Sequence, residues 1–332
     1  DEDGNPVVQF TNAQGQTLLI RRTDGNQNID TYYVYNEYNQ LAFVMSPKAV
    51  KQIEVNNNVI TEAILNDLCY QYKYDGQTRL VEKKLPGKGW EFMVYDKQDR
   101  LVLMQDGILR TTTNNFLSKG WIFTKYDEFG RVAYTGFFTN SANRQAMQTA
   151  LNNMSANASN NEKRSDSPFT LQGIDVYYDK KGFPTGSMTL LTVNYYDTYP
   201  SGAPAVPTTV LGQYTLPQTL GNNEDASTKS LPTASFVKNI EDNNWTKTFN
   251  YYDSKGRLVA SKSTNHLGGY TNKEMKLDFT GAVENTVTQH VRKLGEPGVM
   301  VKERFVYDDQ KRLKEHWHQV DSRPEQLLTK NT

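Results

Sequence analysis

Short runs of alternating apolar and polar residues recur along this chain and end at turns that contain Asp, Asn or Gly. The run WTKTFNYY at Trp245–Tyr252, for example, is rich in aromatic and β-branched residues and stops at Asp253. A period of two in such residues is typical of strands, and turn residues between two runs are typical of hairpins. The pattern therefore predicts an all-β chain, an array of antiparallel hairpins with short helical insertions.

A Tyr-Asp-x-x-Gly-Arg motif marks many of these turns. It is most complete in YDEFGRVAY, which begins at Tyr126, and in YYDSKGRLVA, which begins at Tyr251. Its copies return at unequal intervals, which argues against a strict solenoid and favours hairpins with loops of variable length. The motif residues are Tyr74, Asp75 and Arg79; Tyr95, Asp96 and Arg100; Tyr126, Asp127, Gly130 and Arg131; Tyr178, Asp179 and Gly182; Tyr252, Asp253, Gly256 and Arg257; and Tyr307, Asp308 and Arg312.

Some copies depart from the full motif. Three of them carry another residue in the glycine position, namely Thr78, Asp99 and Lys311, and Phe183 replaces arginine after Gly182. Weaker copies are Tyr35 with Asn36, Leu277 and Asp278 with Gly281, and Asn12 with Gly15.

The chemistry of the motif explains its residue types. A short Asp carboxylate at the end of a strand accepts hydrogen bonds from backbone N–H groups two residues on, and glycine takes the positive φ of a tight hairpin. The arginine that opens the return strand can pair with the aspartate or lie over a neighbouring tyrosine ring. Because several equivalent aspartates cannot each be the one catalytic group, we expect the motif residues to be structural.

Three stretches carry a resemblance to a known family, at Leu68–Gly107, Gly120–Gly136 and Tyr251–Gly269. They resemble the YD repeats of Rhs proteins, and among these the Bacteroidetes branch. The resemblance implies a β-sheet that spirals into a hollow shell, as in the Tc-toxin cocoon and the teneurins, and a shell that encloses a C-terminal toxic domain. It also implies secretion or display at the cell surface, with type IX secretion as the route.

The chain departs from that family in one respect. Self-processing Rhs proteins carry a DPxGxxDG-type core segment after the repeats, and no such segment is present here. The sequence therefore predicts a piece of shell wall without a protease site or a toxin. Its expected partners are the remaining shell segments of the same or a second polypeptide, an enclosed toxin cargo and a secretion machinery.

The pattern divides one continuous shell segment into five stretches. Residues 1–140 and 237–332 are predicted hairpin arrays, the former with a short helix near 61–69 that Thr61 caps and Glu62 favours at its first turn. Residues 141–168 are predicted as a helical and polar insertion, 169–197 as a hairpin, and 198–236 as a Pro-rich extended loop. Both insertions are candidates for contact with a partner or cargo, and the alternative is a connection that covers the wall.

Composition narrows the function classes. The chain has 37 basic and 37 acidic residues, so no basic footprint for nucleic acid is present. No run of eighteen apolar residues occurs, which argues against a helical membrane span. Cys69, in an apolar run, is predicted to be buried and cannot form an internal disulfide. No signal peptide is visible, and the first residues, DEDGNPVVQF, are typical of the interior of a longer polypeptide.

No catalytic or cofactor motif stands out. His316 and His318 share a strand face but lack an indicated third metal ligand, and His266 and His290 are isolated. We therefore predict no metal and no cofactor. The sequons at Asn153, Asn157 and Asn244 are interpreted as chance matches.

Three function classes remain open. The first, which we favour, is a non-enzymatic structural container, a wall segment that should leave an open sheet edge. The second is a cell-surface adhesion or glycan-binding protein that uses exposed aromatic side chains. The third is a β-rich lyase or hydrolase, which requires a cleft with convergent ionisable groups.

Overall fold

The computed structural model describes residues 6–154, 160–218 and 227–331. The three helices are α1 (Pro47–Val55), α2 (Glu62–Leu68) and α3 (Arg144–Asn152). The strands are β1 (Val7–Thr11), β2 (Thr17–Asp24), β3 (Gln27–Tyr35), β4 (Leu41–Met45), β5 (Cys69–Tyr74), β6 (Leu80–Lys84), β7 (Glu91–Tyr95), β8 (Leu101–Gln105), β9 (Gly120–Asp127), β10 (Val132–Thr139), β11 (Asn161–Glu162), β12 (Arg164–Leu171), β13 (Ile174–Tyr178), β14 (Met188–Tyr196), β15 (Thr209–Val210), β16 (Gln213–Tyr214), β17 (Pro232–Lys238), β18 (Trp245–Tyr252), β19 (Leu258–Thr264), β20 (Gly268–Leu277), β21 (Val283–Lys293), β22 (Val299–Tyr307), β23 (Leu313–Val320) and β24 (Gln326–Lys330).

The chain forms two compact units. The first comprises the described residues of Asp1–Thr124, Phe137–Asn160 and Phe183–Ser187, and the second those of Lys125–Gly136, Asn161–Gly182 and Met188–Thr332. β9 and β10 each contribute residues to both units.

Consecutive antiparallel strands make up most of each unit, so the predicted fold class is confirmed. In the first unit β1 to β8 pair in chain order, and β8 pairs with β9. In the second, β10 pairs with β14, and β17 to β24 then follow in chain order. Short β11 is the exception, because it pairs with β9 in parallel.

A β-bulge follows the turn in most of the motif hairpins. The tyrosine faces the first residue of the return strand, and the second residue of that strand is then skipped by the pairing. The skipped residues Val81, Val102 and Val259 are at most 3% exposed. A bulge twists its strand locally and re-aims the side chains. The same bulge thus recurs wherever the Tyr-Asp turn recurs.

Aromatic side chains on strands carry much of the burial, as their abundance predicts. In the second unit the ring of Tyr195 stacks on Tyr178 at 5.6 Å and meets the edge of Phe236 at 5.3 Å, while Phe236 contacts Phe249 at 5.8 Å. In the first unit a smaller cluster of Ala49, Ile64 and Cys69 joins the helices to the sheet. The predicted burial of Cys69 is confirmed, and burial raises the pKa of its thiol.

The helices need one correction. The predicted α2 is present, and the Thr61 side chain accepts a hydrogen bond from the Ile64 N–H at 3.2 Å. Helix α1 was not predicted. Its N-cap is Ser46, the residue before Pro47. A capping residue followed by proline at the first helical position is a recognisable helix start.

The predicted boundaries of the two insertions were also wrong. Residues 141–168 do begin with α3, but β11 and the first five residues of β12 lie within them. The hairpin predicted over 169–197 is instead β12 with β13, closed by Gln172 and Gly173, while β14 belongs to the main sheet. β11 begins inside the first of these stretches because a distant strand, β9, supplies its hydrogen bonds.

The Pro-rich stretch 198–236 ends earlier than predicted, since β17 begins at Pro232. Its described part returns to the second unit: the Leu216 N–H bonds the Tyr252 carbonyl at 2.7 Å, and the Gln213 side chain bonds the backbone of β20. Tyr199 and Leu216 are buried. This part covers the sheet. Residues 155–159 and 219–226, and with them the sequon at Asn157, lie outside the described residues.

Candidate functional site

The repeated turns form the most regular arrangement of polar groups in the structure. In each of five copies the Asp N–H bonds the Arg carbonyl four residues on at 2.8–3.1 Å. One carboxylate oxygen accepts the N–H two residues on, at 2.9 Å, and the Arg N–H, at 2.9–3.0 Å. The other oxygen accepts the Arg Nε at 2.6–2.8 Å. We call this the Asp turn; its aspartates are Asp75, Asp96, Asp127, Asp253 and Asp308.

These hydrogen bonds favour the ionised carboxylate. For Asp253, burial opposes ionisation, but the Arg257 side chain and the N–H groups of Arg257 and Lys255 outweigh it and hold the pKa below its usual range. The same balance lowers the pKa of Asp75. A carboxylate with a low pKa that is fully occupied by local donors has a structural role.

The glycine position of the motif adopts positive φ whether or not glycine occupies it. Gly130 and Gly256 have φ of 77° and 73°, and Thr78, Asp99 and Lys311 have φ of 59° to 65°. This conformation is costly for a residue with a Cβ, above all for β-branched threonine. The Asp and Arg bonds therefore impose the turn even where its sequence is unfavourable.

The motif tyrosine reaches back to the preceding turn at the same end of the strands. Its hydroxyl donates to the carbonyl of the first residue after that turn, at 2.6–3.3 Å. The pairs are Tyr35 with Thr17, Tyr74 with Leu41, Tyr95 with Leu80, Tyr196 with Val132, Tyr252 with Pro232, and Tyr307 with Val283.

The motif arginine reaches forward to the next turn. Arg79 Nη1 donates to the Asp96 carbonyl at 3.1 Å, and Arg257 Nη1 to the Asp278 carbonyl at 2.9 Å. The Arg79 guanidinium also lies over the Tyr95 ring, 5.2 Å from its centroid. Both roles predicted for the arginine, aspartate pairing and tyrosine stacking, occur together. Tyrosine and arginine thus tie successive hairpins within each unit into what we call the turn ladder.

Asparagine builds the same turn in the weaker copies. Asn12 and Asn36 accept the N–H groups two and four residues on, and each donates to a glutamine, Gln16 or Gln40, in place of the arginine pair. Asn265 forms an equivalent turn at the opposite end of the strands. The turn at Asn265 was not predicted, although the run Asn-His-Leu-Gly-Gly that begins there contains turn residues.

One further turn was not predicted because its hairpin is split. The Asp197 N–H bonds the Leu231 carbonyl at 3.1 Å, so the long loop 198–230 is an insertion into a Tyr196-Asp197 turn. Arg131 of the preceding turn holds the Asp197 carboxylate with two bonds, of 3.1 and 2.6 Å. The Tyr-Asp pair is visible in the sequence, but no arginine follows at the motif spacing.

Tyr178, Asp179 and Gly182 do not form the predicted hairpin. β13 ends at Tyr178, and the Asp179 N–H bonds the Lys163 carbonyl at 2.9 Å instead of a residue four positions on. The Gly182 N–H bonds the Glu162 carboxylate at 3.1 Å. With Phe183 in the arginine position, no guanidinium is present to close an Asp turn here.

The outer strands of the described chain are unprotected. β1 pairs only with β2 and β24 only with β23, among the described strands. All residues of both outer strands are exposed, including Val8 at 46% and Leu328 at 54%. Isolated edge strands usually carry charge, proline or a cover, because bare edges pair with other chains.

Ionisable groups outside the turns form few clusters. His316 donates to or accepts from Glu303 at 3.0 Å and stacks on Phe305, away from any metal-like arrangement. In the part of the chain that the structure describes, no three His, Cys, Asp or Glu residues are placed to hold a metal ion. None of its described helices is long and apolar enough to cross a membrane. The Lys125 and Glu162 side chains contact each other and are closed off from solvent.

Comparison with known proteins gives structural neighbours only. No family model and no curated protein matches the chain. Among solved structures, the crystal structure of TcdB2-TccC3 aligns with 98% of this chain and 15% of that chain, at 12% identity and a TM-score of 0.43. The Photorhabdus luminescens Tc holotoxin pore aligns with 95% of this chain and 14% of that chain, at 11% identity and a TM-score of 0.43. The chain thus spans about a seventh of the length of these neighbours.

Proposed function

We propose that this chain is a non-enzymatic wall segment of a secreted Rhs-type shell that encloses a toxin or other effector domain. The observation that carries the proposal is the turn ladder, in which motif tyrosines and arginines bond Tyr-Asp turns to neighbouring turns. Such bonds join successive hairpins into one continuous sheet without any catalytic group. The cargo and the secretion route rest on the resemblance of the motif stretches to Rhs repeats.

The unpaired edges of β1 and β24 support the proposal that the chain is an incomplete piece of wall. Unpaired backbone N–H and C=O groups flanked by exposed apolar side chains, as in β1 and β24, are a template for a further strand. In a shell, that strand comes from neighbouring repeats of the same polypeptide or from a second one. A free-standing binding module would instead be expected to blunt both edges.

Self-association of the chain tests the wall proposal. Light scattering after size-exclusion chromatography should give a mass that rises with concentration, because exposed edges pair. Leu328→Lys in β24 and Val8→Lys in β1 should shift the chain toward monomer. Leu294→Lys is the matched control, since Leu294 is 75% exposed but lies in a turn. A monodisperse monomer at every concentration would contradict the proposal.

A test for an enclosed cargo requires the native polypeptide, purified from the cells that make it. We expect protease to leave the hairpin repeats and a further, enclosed domain intact, and mild denaturant to expose that domain to cleavage. Equal cleavage of that domain with and without denaturant would contradict the proposal that the shell encloses it. Binding of the wild-type chain on a glycan array, lost when exposed aromatic residues such as Phe279 are replaced, would favour the adhesion alternative instead.

A further inference from the structure

A buried lysine and two carboxyl groups meet in the second unit, outside the turn ladder. The Lys125 Nζ lies 2.7 Å from the Glu162 Oε1, and their side chains are 1% and 0% exposed. The register explains the meeting: Glu162 of β11 lies opposite Asp127 of β9, and Lys125, two residues before Asp127, points to the same face. Pairing of β11 with β9 therefore buries both charged side chains together.

Backbone donors hold the Glu162 carboxyl group in place. The Gly182 N–H donates to Oε1 at 3.1 Å, and the Lys181 N–H to Oε2 at 3.0 Å. The two N–H groups thus fix one oxygen each, and the Gly182 N–H is placed to stabilise negative charge that develops on Oε1. The Tyr134 ring flanks the lysine, with Nζ 5.2 Å from its centroid.

A third group, Asp179, completes the arrangement. Its carboxyl group shares a hydrogen bond with that of Glu162, and its Oδ1 accepts the Lys163 N–H at 2.8 Å. Burial opposes ionisation of Asp179, but the bonds from Glu162 and from the Lys163 N–H lower its pKa. Asp179 is therefore a proton acceptor that contacts the Glu162 carboxyl group directly.

Burial pushes the reacting pair toward neutral forms. It lowers the pKa of Lys125 despite the nearby Glu162 and Asp179 carboxylates, with Lys180 adding to the effect. It raises the pKa of Glu162 despite Lys125. A neutral amine is a nucleophile and a neutral carboxylic acid is an electrophile, whereas an ammonium and a carboxylate are neither.

We propose that Lys125 and Glu162 condense into an intramolecular amide bond that staples β11 to β9. The proposal stands on the buried geometry and is independent of the proposed shell function. Its effect is to secure the polypeptide that follows α3 to the sheet at a point where only two residues of β11 supply strand pairing.

The reaction needs no external reagent. The Nζ lone pair attacks Glu162 Cδ, and Oε1 becomes an oxyanion that accepts the Gly182 N–H. Asp179 takes a proton from the attacking nitrogen and passes it to the carboxyl hydroxyl, which leaves as water when the carbonyl re-forms. One N–C bond forms, one C–O bond breaks and one water is released, with no change in oxidation state.

The intact mass of the purified, denatured full chain decides the proposal. We expect it to fall below the sequence mass by one water molecule. After digestion with trypsin, the peptide Gly120–Arg131 should remain uncut at Lys125 and be joined to the peptide that ends at Lys163. An unchanged mass overturns the proposal, and so does a loss of water that maps to a succinimide at an Asp-Gly pair such as Asp75–Gly76.

Variants assign the roles. Lys125→Met should restore the full mass expected for its sequence. Asp179→Asn should leave most of the purified chain at its full mass, because the proton carrier is gone, and complete cross-linking of this variant would contradict the role of Asp179. Lys163→Gln is the matched control: Lys163 is an exposed lysine of the same segment, paired with Glu128, and its loss should leave the cross-link intact.

Discussion

A single carboxylate organises each Asp turn because its two oxygens hold different partners. One satisfies backbone N–H groups that a hairpin leaves unpaired, and the other fixes the arginine that reaches the next turn. The loss in the free energy of unfolding when this carboxylate is removed should increase with its burial. A buried N–H left without a partner is destabilising, whereas an exposed one can bond water.

Asp253→Ala should destabilise the chain by about 2 kcal/mol, because it leaves two N–H groups and the Arg257 guanidinium without their partner. Asp253 is 6% exposed at its side chain. Urea unfolding at low protein concentration measures the loss. Asp308→Ala is the control, because its turn has the same geometry but its Arg312 is 74% exposed. The free energy of unfolding should fall clearly less in this variant. Equal losses would contradict the argument from burial.

The glycine position offers a reciprocal pair of changes. Thr78→Gly should stabilise the chain by about 1 kcal/mol, because it relieves a positive φ of 65° at a β-branched residue. Gly130→Thr should destabilise it by a similar amount, since φ is 77° there. Thermal unfolding of both variants checks the pair. If Thr78→Gly lowered the midpoint, the added flexibility of glycine in the unfolded chain would outweigh the relieved strain.

Hairpins are joined at the level of elements by side chains that act between turns. The tyrosine hydroxyl of one hairpin and the arginine of another bond backbone carbonyls of their neighbours, so turns such as those at Asp75 and Asp96 are joined by both side chains. The insertion 198–230 leaves this arrangement intact, because Asp197 and Leu231 still close the turn from which it departs.

Tyr74→Phe tests one such link. It removes the hydroxyl that bonds the Leu41 carbonyl at 3.0 Å and should cost about 1 kcal/mol in the free energy of unfolding. Hydrogen exchange should also speed up around β4 and β5. Tyr38→Phe is the matched control, because Tyr38 is 72% exposed at a turn tip. Equal effects of the two variants would show that the inter-hairpin bond contributes nothing.

Charge pairing gives the whole molecule a defined response to acid. The pKa values of Asp75, Asp197 and Asp253 are lowered in the folded chain, in each case by hydrogen bonds that outweigh burial. A lowered pKa contributes stability that is complete above the ordinary carboxylate value of about 4 and is lost as pH falls through the folded value.

The midpoint of thermal unfolding should therefore be nearly level at neutral pH and fall steeply below about pH 4. Asp253→Asn should flatten this fall, since one of the responsible carboxylates is gone. A midpoint that declines instead between pH 8 and 6 would place the response in other groups and contradict this assignment.

Features that depend on near neighbours could be predicted from the amino-acid sequence alone. The strand pattern, the Asp turns at Asp75 or Asp253, the α2 cap at Thr61 and the burial of Cys69 all follow from residues a few positions apart. Local hydrogen bonds and side-chain alternation suffice for these features, so the residue types and their spacing identify them. The motif failed at Asp179 because Phe183 takes the arginine position and the Asp179 N–H bonds the Lys163 carbonyl instead.

Contacts between distant residues depend on the packing of the folded chain. The link of Tyr74 to Leu41, the closure of the Asp197 turn by Leu231, and the pairing of Lys125 with Glu162 join residues that no local pattern relates. Lengthening a loop adds little to the entropy of closing it, so insertions of many residues are tolerated and erase the spacing on which sequence reasoning depends. Residue types and their spacing thus determine the turn, whereas packing alone produces the turn ladder and the buried contact of Lys125 with Glu162.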